Sequence, residues 1–198
     1  MNRTQKAIIE TFWQILEEKP YNKITVQNIV ERCKVNRNTF YYHFQDIPAL
    51  AEYSIKEWSD QIIRSHCGTE SPANCITFFA QELVKRKAAF IHIYRSACGE
   101  ALLRYLNEVG FYVVQTYIDN MVRYTDIPPE EKSVFVRYYK CTIVGAVLDW
   151  LAAGCSYDLL DFCEKVCFYF EGTSQKAFSK LTEGAAEPAA AKKSRGFP

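Results

Sequence analysis

The chain has almost no net charge. Its 198 residues carry 24 Lys and Arg against 23 Asp and Glu, which leaves +1. A protein that coats a polyanion is thereby excluded, although a local basic patch is not. It also lacks a long apolar run. The most apolar stretch, Val134 to Cys155, is interrupted by Arg137, Lys140 and Asp149, each costly near a bilayer centre, so no membrane span is expected. Met1-Asn2-Arg3-Thr4 leads into charged amphipathic sequence with no apolar signal segment, and a cytoplasmic protein is the expectation. No alternating strand pattern bounded by hairpin turns occurs; Phe111 to Val114 is β-prone but sits inside a helical stripe. There is no glycine-rich phosphate loop, nucleophile–base pair or paired carboxylate set, so no catalytic residue and no cofactor is assigned and an enzyme is not expected.

What is present is a soluble, foldable composition. Some 48% of residues are hydrophobic and 24% charged, which supports a packed core in one or two domains. Eight cysteines without a secretory signal read as reduced thiols. His66, Cys67 and Cys75 gather near one break, and Cys163 and Cys167 stand four apart. Neither set supplies the two close ligand pairs of a zinc site, so no metal is assigned. Thiol redox sensing stays as a minor alternative function.

The periodicity is helical almost throughout. Ile8, Phe12, Ile15 and Leu16 form one stripe that Pro20 ends. Thr25 caps a short helix carrying Ile29, Val30 and Cys33, and Asn36 caps another with Phe40 and Phe44 one turn apart. Asp46-Ile47-Pro48 starts a helix whose face is Ala51, Ile55, Trp58 and Ile62. A break at Gly68 to Asn74 is followed by helices near 73–86, 88–97, 100–124, 129–154 and 157–181. The expectation is an all-α protein of about nine helices: an N-terminal three-helix unit with a linking helix (1–66, the link being 46–66), a C-terminal body for effector binding and dimerisation (73–183), and a disordered tail (184–198).

The segment Ile24 to Phe44 reads ITVQNIVERCKVNRNTFYYHF. Two short helices joined by a tight turn at Cys33-Lys34-Val35 make a helix-turn-helix, whose second helix enters the DNA major groove. Phe40 and Phe44 would anchor that helix, while Arg37, Asn38, Thr39, Tyr41 and Tyr42 point outward. Arg reads guanine, Asn reads adenine, and Thr and Tyr bond phosphates or touch a thymine methyl. Five cations against Glu31 between Lys19 and Gln45 leave +4, whereas residues 1–60 balance at zero. Positive charge is focused on the reading unit.

This stretch, extended through Gln45-Asp46-Ile47-Pro48-Ala49-Leu50, resembles the signature of the TetR/AcrR family of transcriptional regulators, over roughly residues 5–60. YNKITVQNIVERCKVNRNTFYYHF and Ile143–Leu151 (IVGAVLDWL) are similar to the branch that includes dihydroxyacetone kinase activators. The resemblance implies a sequence-specific DNA-binding regulator, a repressor released by an effector. Its alternative form binds a protein partner, a co-activator, in place of a small molecule. The resemblance further implies DNA contacts at Thr25, Gln27, Lys34, Asn36, Arg37, Asn38, Thr39, Tyr41, Tyr42 and His43, with Arg37 and Asn38 reading bases and the following residues mostly phosphate. Two positions depart from the family pattern. Lys34 stands where Gly is usual, so a left-handed non-glycine residue is expected at a cost of about 1 kcal/mol. Ile47 stands where many members carry a phosphate-binding Lys.

The aromatic residues concentrate after residue 75. From Phe78, Phe79, Phe90, Tyr94, Tyr105, Phe111, Tyr112 and Tyr117, the candidate walls of an effector pocket are Phe78, Phe90, Tyr94, Tyr105, Tyr112 and Tyr117. In the last two long helices, Gly145 and Ala146 permit close backbone approach, and the final helix is apolar over more than one face. A homodimer interface at Tyr139, Ile143, Val147, Trp150, Phe162, Val166 and Tyr169 is therefore expected. The expected partners are double-stranded DNA bearing a palindromic operator, a second copy of the chain, and an unknown small-molecule effector or protein partner.

Overall fold

A computed structural model describes residues 2–66, 72–121 and 127–170, with residues 172, 173, 176 and 179. All regular structure among the described residues is helical. In chain order α1 is Arg3–Glu18, α2 Val26–Cys33, α3 Arg37–His43, α4 Ile47–His66 and α5 Pro72–Lys85. They are followed by α6 Lys87–Tyr94, α7 Gly99–Met121, α8 Pro129–Ala152 and α9 Leu159–Tyr169. No helix is long and apolar enough to cross a membrane among the described residues.

The start signals work as their chemistry requires. Asn2 accepts the Thr4 N–H at 3.1 Å to open α1, and Asp46 accepts the Ala49 N–H at 2.8 Å at the entry to α4. The α1 stripe of Ile8, Phe12, Ile15 and Leu16 is buried, as are Phe40 of α3 and Phe44 just past its end. The predicted α4 face is buried along its whole length, from Ala51 through Ile55 and Trp58 to Ile62. In the body, α7 and α8 approach closely at Gly110, where a Cβ would stand 3.0 Å from Val144 Cγ2.

Four aromatic rings join the N-terminal unit to the body. Trp13 of α1 lies 5.5 Å from Phe90 of α6, Phe90 4.8 Å from Trp58 of α4, and Trp58 5.8 Å from Phe79 of α5. Arg86 stands over Trp13 at 5.2 Å. A hydrogen bond closes the joint. The Leu16 carbonyl would normally accept the N–H of residue 20, but residue 20 is proline and has none. His92 of α6 supplies the missing donor, its Nδ1–H donating to that carbonyl at 2.7 Å. Most of the buried residues from Ile8 to Leu159 accordingly form one continuous cluster, with Val114, Ile118 and Val136 in a second, smaller one.

Several expectations change. Phe90 is not a pocket wall; it is fully buried between two tryptophans at the joint. Tyr105 is buried with Arg104 over its ring, and Tyr112 is exposed. Val147 and Trp150, two of the expected dimer contacts, are not at the protomer surface. Both are buried within the protomer, and Trp150 Nε1 donates to the Tyr157 carbonyl at 3.1 Å. One helical period cannot say which side of an apolar helix its own chain covers. The expected break at 68–74 ends by Pro72, where α5 begins. Helix α9 ends at Tyr169, earlier than the expected 181. The tail 184–198, the segment 122–126 and Cys67 lie outside the described residues.

If the joint carries the packing, Phe90→Ala is expected to cost about 3–5 kcal/mol. His92→Ala, which strands the Leu16 carbonyl, is expected to cost about 1–3 kcal/mol. Urea unfolding of the two variants measures both.

Candidate nucleic-acid interface

The reading unit is held by local hydrogen bonds that the sequence itself encodes. Thr25 Oγ1 accepts the Asn28 N–H at 3.2 Å while Asn28 Oδ1 accepts the Thr25 N–H at 3.1 Å, a reciprocal cap on α2. Lys34 then turns the chain in the left-handed region, with φ +56°. The Lys34 N–H reaches the Glu31 carbonyl and the Val35 N–H the Val30 carbonyl, closing the end of α2. Asn36 opens α3 by accepting the N–H of Thr39 at 2.8 Å and its hydroxyl at 2.9 Å.

That geometry projects the first turn of α3. Arg37 and Asn38 are exposed at its N-terminus, Tyr41 is 55% exposed and Tyr42 83%. Tyr41 leans edge-on against buried Phe40 at 5.5 Å, and Tyr42 against half-buried His43 at 5.0 Å. Two phenols in water beside a groove-sized helix have little packing reason to be there. Thr25, Gln27, Lys34 and Asn36 are exposed around them, and Thr39 is half-buried. All ten expected DNA-contacting residues, from Thr25 to His43, are exposed or half-buried on α2, the turn and α3, although Thr25 and Asn36 spend an acceptor on capping. Gln27 is also engaged, its amide donating to Glu31.

The charge is narrower than the sequence count. Arg32 makes a two-armed bridge to Glu18, both arms at 2.7 Å, which clamps α2 to α1. Lys19 donates to Asn28 at 2.7 Å. Among the described residues Lys23, Lys34 and Arg37 are exposed and carry no ion pair, and Lys34 and Arg37 flank the Asn36 cap of α3. Sequence reasoning missed the Glu18–Arg32 clamp because the partners are fourteen residues apart and only the fold brings them together.

The body presents two further features. Between α5, α8 and α9 lies a cavity of about 130 Å³, with Phe79, Ala80, Ile143, Ala146, Leu159 and Cys163 among its walls. None of the six residues expected to wall a pocket lines it; Phe78, Tyr94 and Tyr117 are half-buried elsewhere. On the outer side, Val134 and Tyr138 of α8 are exposed, as are Phe162, Phe168, Tyr169 and Phe170 at the C-terminal end of the chain's described helices. Of the expected dimer contacts, Phe162 and Tyr169 are exposed, while Tyr139, Ile143 and Val166 are half-buried. Nothing approaches within 4 Å of where a Gly145 Cβ would stand. Burial pushes the thiols of Cys155 and Cys163 up to about 11 and raises that of Cys33. At neutral pH these three are thiols, not the thiolates that redox sensing uses.

Two family comparisons cover most of the chain. Residues 8–53 match bacterial regulatory proteins of the tetR family, and residues 70–172 match the transcriptional regulator C-terminal region of that family. A segment of 50 residues is 38% identical to the uncharacterized HTH-type transcriptional regulator YuxN of Bacillus subtilis (strain 168). It spans 25% of this chain and 17% of that relative's length. In fold, the chain is similar to the dihydroxyacetone kinase operon activator DhaS, with TM-score 0.72, 17% identity, and 91% of this chain and 97% of that one covered. It is also similar to the regulator FadR from Bacillus subtilis, solved in complex with stearoyl-CoA. There the TM-score is 0.57 at 15% identity, covering 81% of this chain and 94% of that one.

The left-handed turn yields a separable expectation. Lys34→Gly is expected to raise stability by about 1 kcal/mol, because glycine adopts this backbone without the Cβ clash. The same change removes a cation beside the reading helix, so it is expected to weaken DNA binding and flatten its salt dependence. Urea midpoints and fluorescence anisotropy at several salt concentrations measure the two effects.

Proposed function

The chain belongs to the tetR family of bacterial transcriptional regulators, and from that premise we propose that it is a dimeric repressor whose body releases operator DNA when an effector binds. It is a DNA-binding regulator of transcription and not an enzyme. The observation that carries the contact assignment is the exposed first turn of α3, with Arg37 and Asn38 at its tip and capped by Asn36. Helix N-termini present free N–H groups to phosphate, and an exposed Arg–Asn pair there can reach base edges. Thr39, Tyr41, Tyr42 and His43 hold the phosphates on either side, while Thr25, Gln27 and Lys34 contact the backbone from α2 and the turn.

The division of labour follows the chain: 1–66 reads DNA, 73–183 dimerises and binds the effector. A second copy would cover Phe162, Val166 and Tyr169 together with exposed Tyr138, Phe168 and Phe170, with Gly145 admitting its backbone. Two α3 helices would then read half-sites roughly 34–36 Å apart, or a multiple of that spacing, in a palindrome. A regulator of this kind works in the cytoplasm, where the DNA is.

A second reading gives the body a protein partner in place of a small molecule, with activation as the sign. Leu103, Phe111 and Tyr112, exposed along α7, favour it. Under that reading a Phe111→Asp and Tyr112→Asp double variant would bind operator normally in vitro yet fail to regulate a reporter in cells. Under the small-molecule reading it would regulate as the parent does.

Two measurements test the main proposal. Arg37→Ala is expected to cost about 1–3 kcal/mol and to relax base preference at one operator position. Lys23→Ala is expected to weaken all sequences alike and reduce the salt slope. Equal loss on every sequence from Arg37→Ala would assign it to phosphate alone. In sedimentation equilibrium the chain is expected to behave as a dimer, and Phe168→Asp with Tyr169→Asp as a monomer with weakened operator affinity.

A further inference from the structure

We propose that the cavity between α5, α8 and α9 binds a small uncharged apolar molecule, the size of one aromatic ring or a short aliphatic chain. The proposal deepens the effector reading above and rests on it. The size argument is direct. The cavity holds about 130 Å³, and an apolar protein cavity of about 150 Å³ accepts benzene.

The chemistry of the walls selects the class. They are aliphatic and aromatic carbon with the sulfurs of Cys163 and Cys167, and no charged side chain lines them. The one hydroxyl, that of Thr142, already donates to the Tyr138 carbonyl at 3.0 Å. A carboxylate, phosphate or ammonium entering here would lose part of its water and meet no charged partner, which disfavours it against an uncharged ring or chain. Soft, polarisable thiols instead suit contact with an aromatic face or an alkyl chain.

A second observation ties the site to regulation. Phe79 lines the cavity and is also the last ring of the aromatic chain through Trp58 and Phe90 to Trp13 of α1. An occupant that presses on Phe79 therefore presses on a continuous run of packed rings ending in the DNA-reading unit. On the other side the walls include Phe162 and Val166 of α9, two of the residues proposed to meet a second copy.

The test uses the full-length protein and benzene as the probe, followed by NMR. Saturable binding is expected, with nuclear Overhauser contacts from benzene to the Ala80 and Ala146 methyl groups. Benzoate, the same ring with a charge, is expected to bind at least tenfold more weakly. Ala146→Leu, which fills the space, is expected to lower benzene affinity at least tenfold. No saturable binding up to the solubility of benzene, contacts only to other methyl groups, or equal binding of benzoate would each overturn the assignment. The contacts in the unaltered protein decide the matter even if Ala146→Leu does not fold. Operator affinity measured with and without benzene separates the two readings. Benzene bound at the named methyl groups with operator affinity unchanged would overturn the effector reading and leave the cavity assignment standing.

Discussion

The joint between α1 and α6 is the constraint on which the molecule depends. A helix whose end is followed by proline leaves a carbonyl without a donor, and a buried carbonyl in that condition is costly. Here His92 reaches across from the body to satisfy it, and Phe90 beside it is wedged between Trp13 and Trp58. The N-terminal unit is thus not a bead on a string. Its first helix is completed by a side chain from the body behind it, so any shift of α6 is felt at the end of α1. Packed interiors transmit displacement because they have few voids to absorb it.

The same end of α1 also orders the reading unit. Glu18, near its C-terminus, takes Arg32 in a two-armed bridge and fixes α2, and α2 carries the left-handed Lys34 that aims α3. The arrangement engages Arg32 and Lys19 within the fold and leaves Lys23, Lys34 and Arg37 exposed. A chain with balanced total charge can therefore present a positive tip, because salt bridges withdraw selected charges from the surface field.

Much of this was legible in the residues. Thr25, Asn36 and Asp46 announce helix starts by a chemistry that acts over three residues, and the α4 stripe announces its buried face by a period of 3.6. The left-handed Lys34 followed from the family resemblance, in which glycine is usual at that place. The walls of the cavity were not legible, and neither were Val147 and Trp150 as core residues. Phe78 and Phe79 are neighbours in sequence, yet only Phe79 meets Trp58 and the cavity. Tyr112 looked like a wall and is exposed. Aromatic content says that rings will be buried, not against what, since every wall is assembled from helices far apart in the chain.

The sequence alone determined which segments become helices, where each begins, and which residues stand at the tip of the reading helix. These are local matters, decided by hydrogen bonds and side-chain spacing within a turn or two. The tertiary structure alone decided that Arg32 belongs to Glu18, that His92 belongs to the Leu16 carbonyl, and that Phe79 links a cavity to the joint. Each of these pairs residues that the chain separates, and only the packing of whole helices, settled by the burial of apolar area summed over all of them, selects the partner.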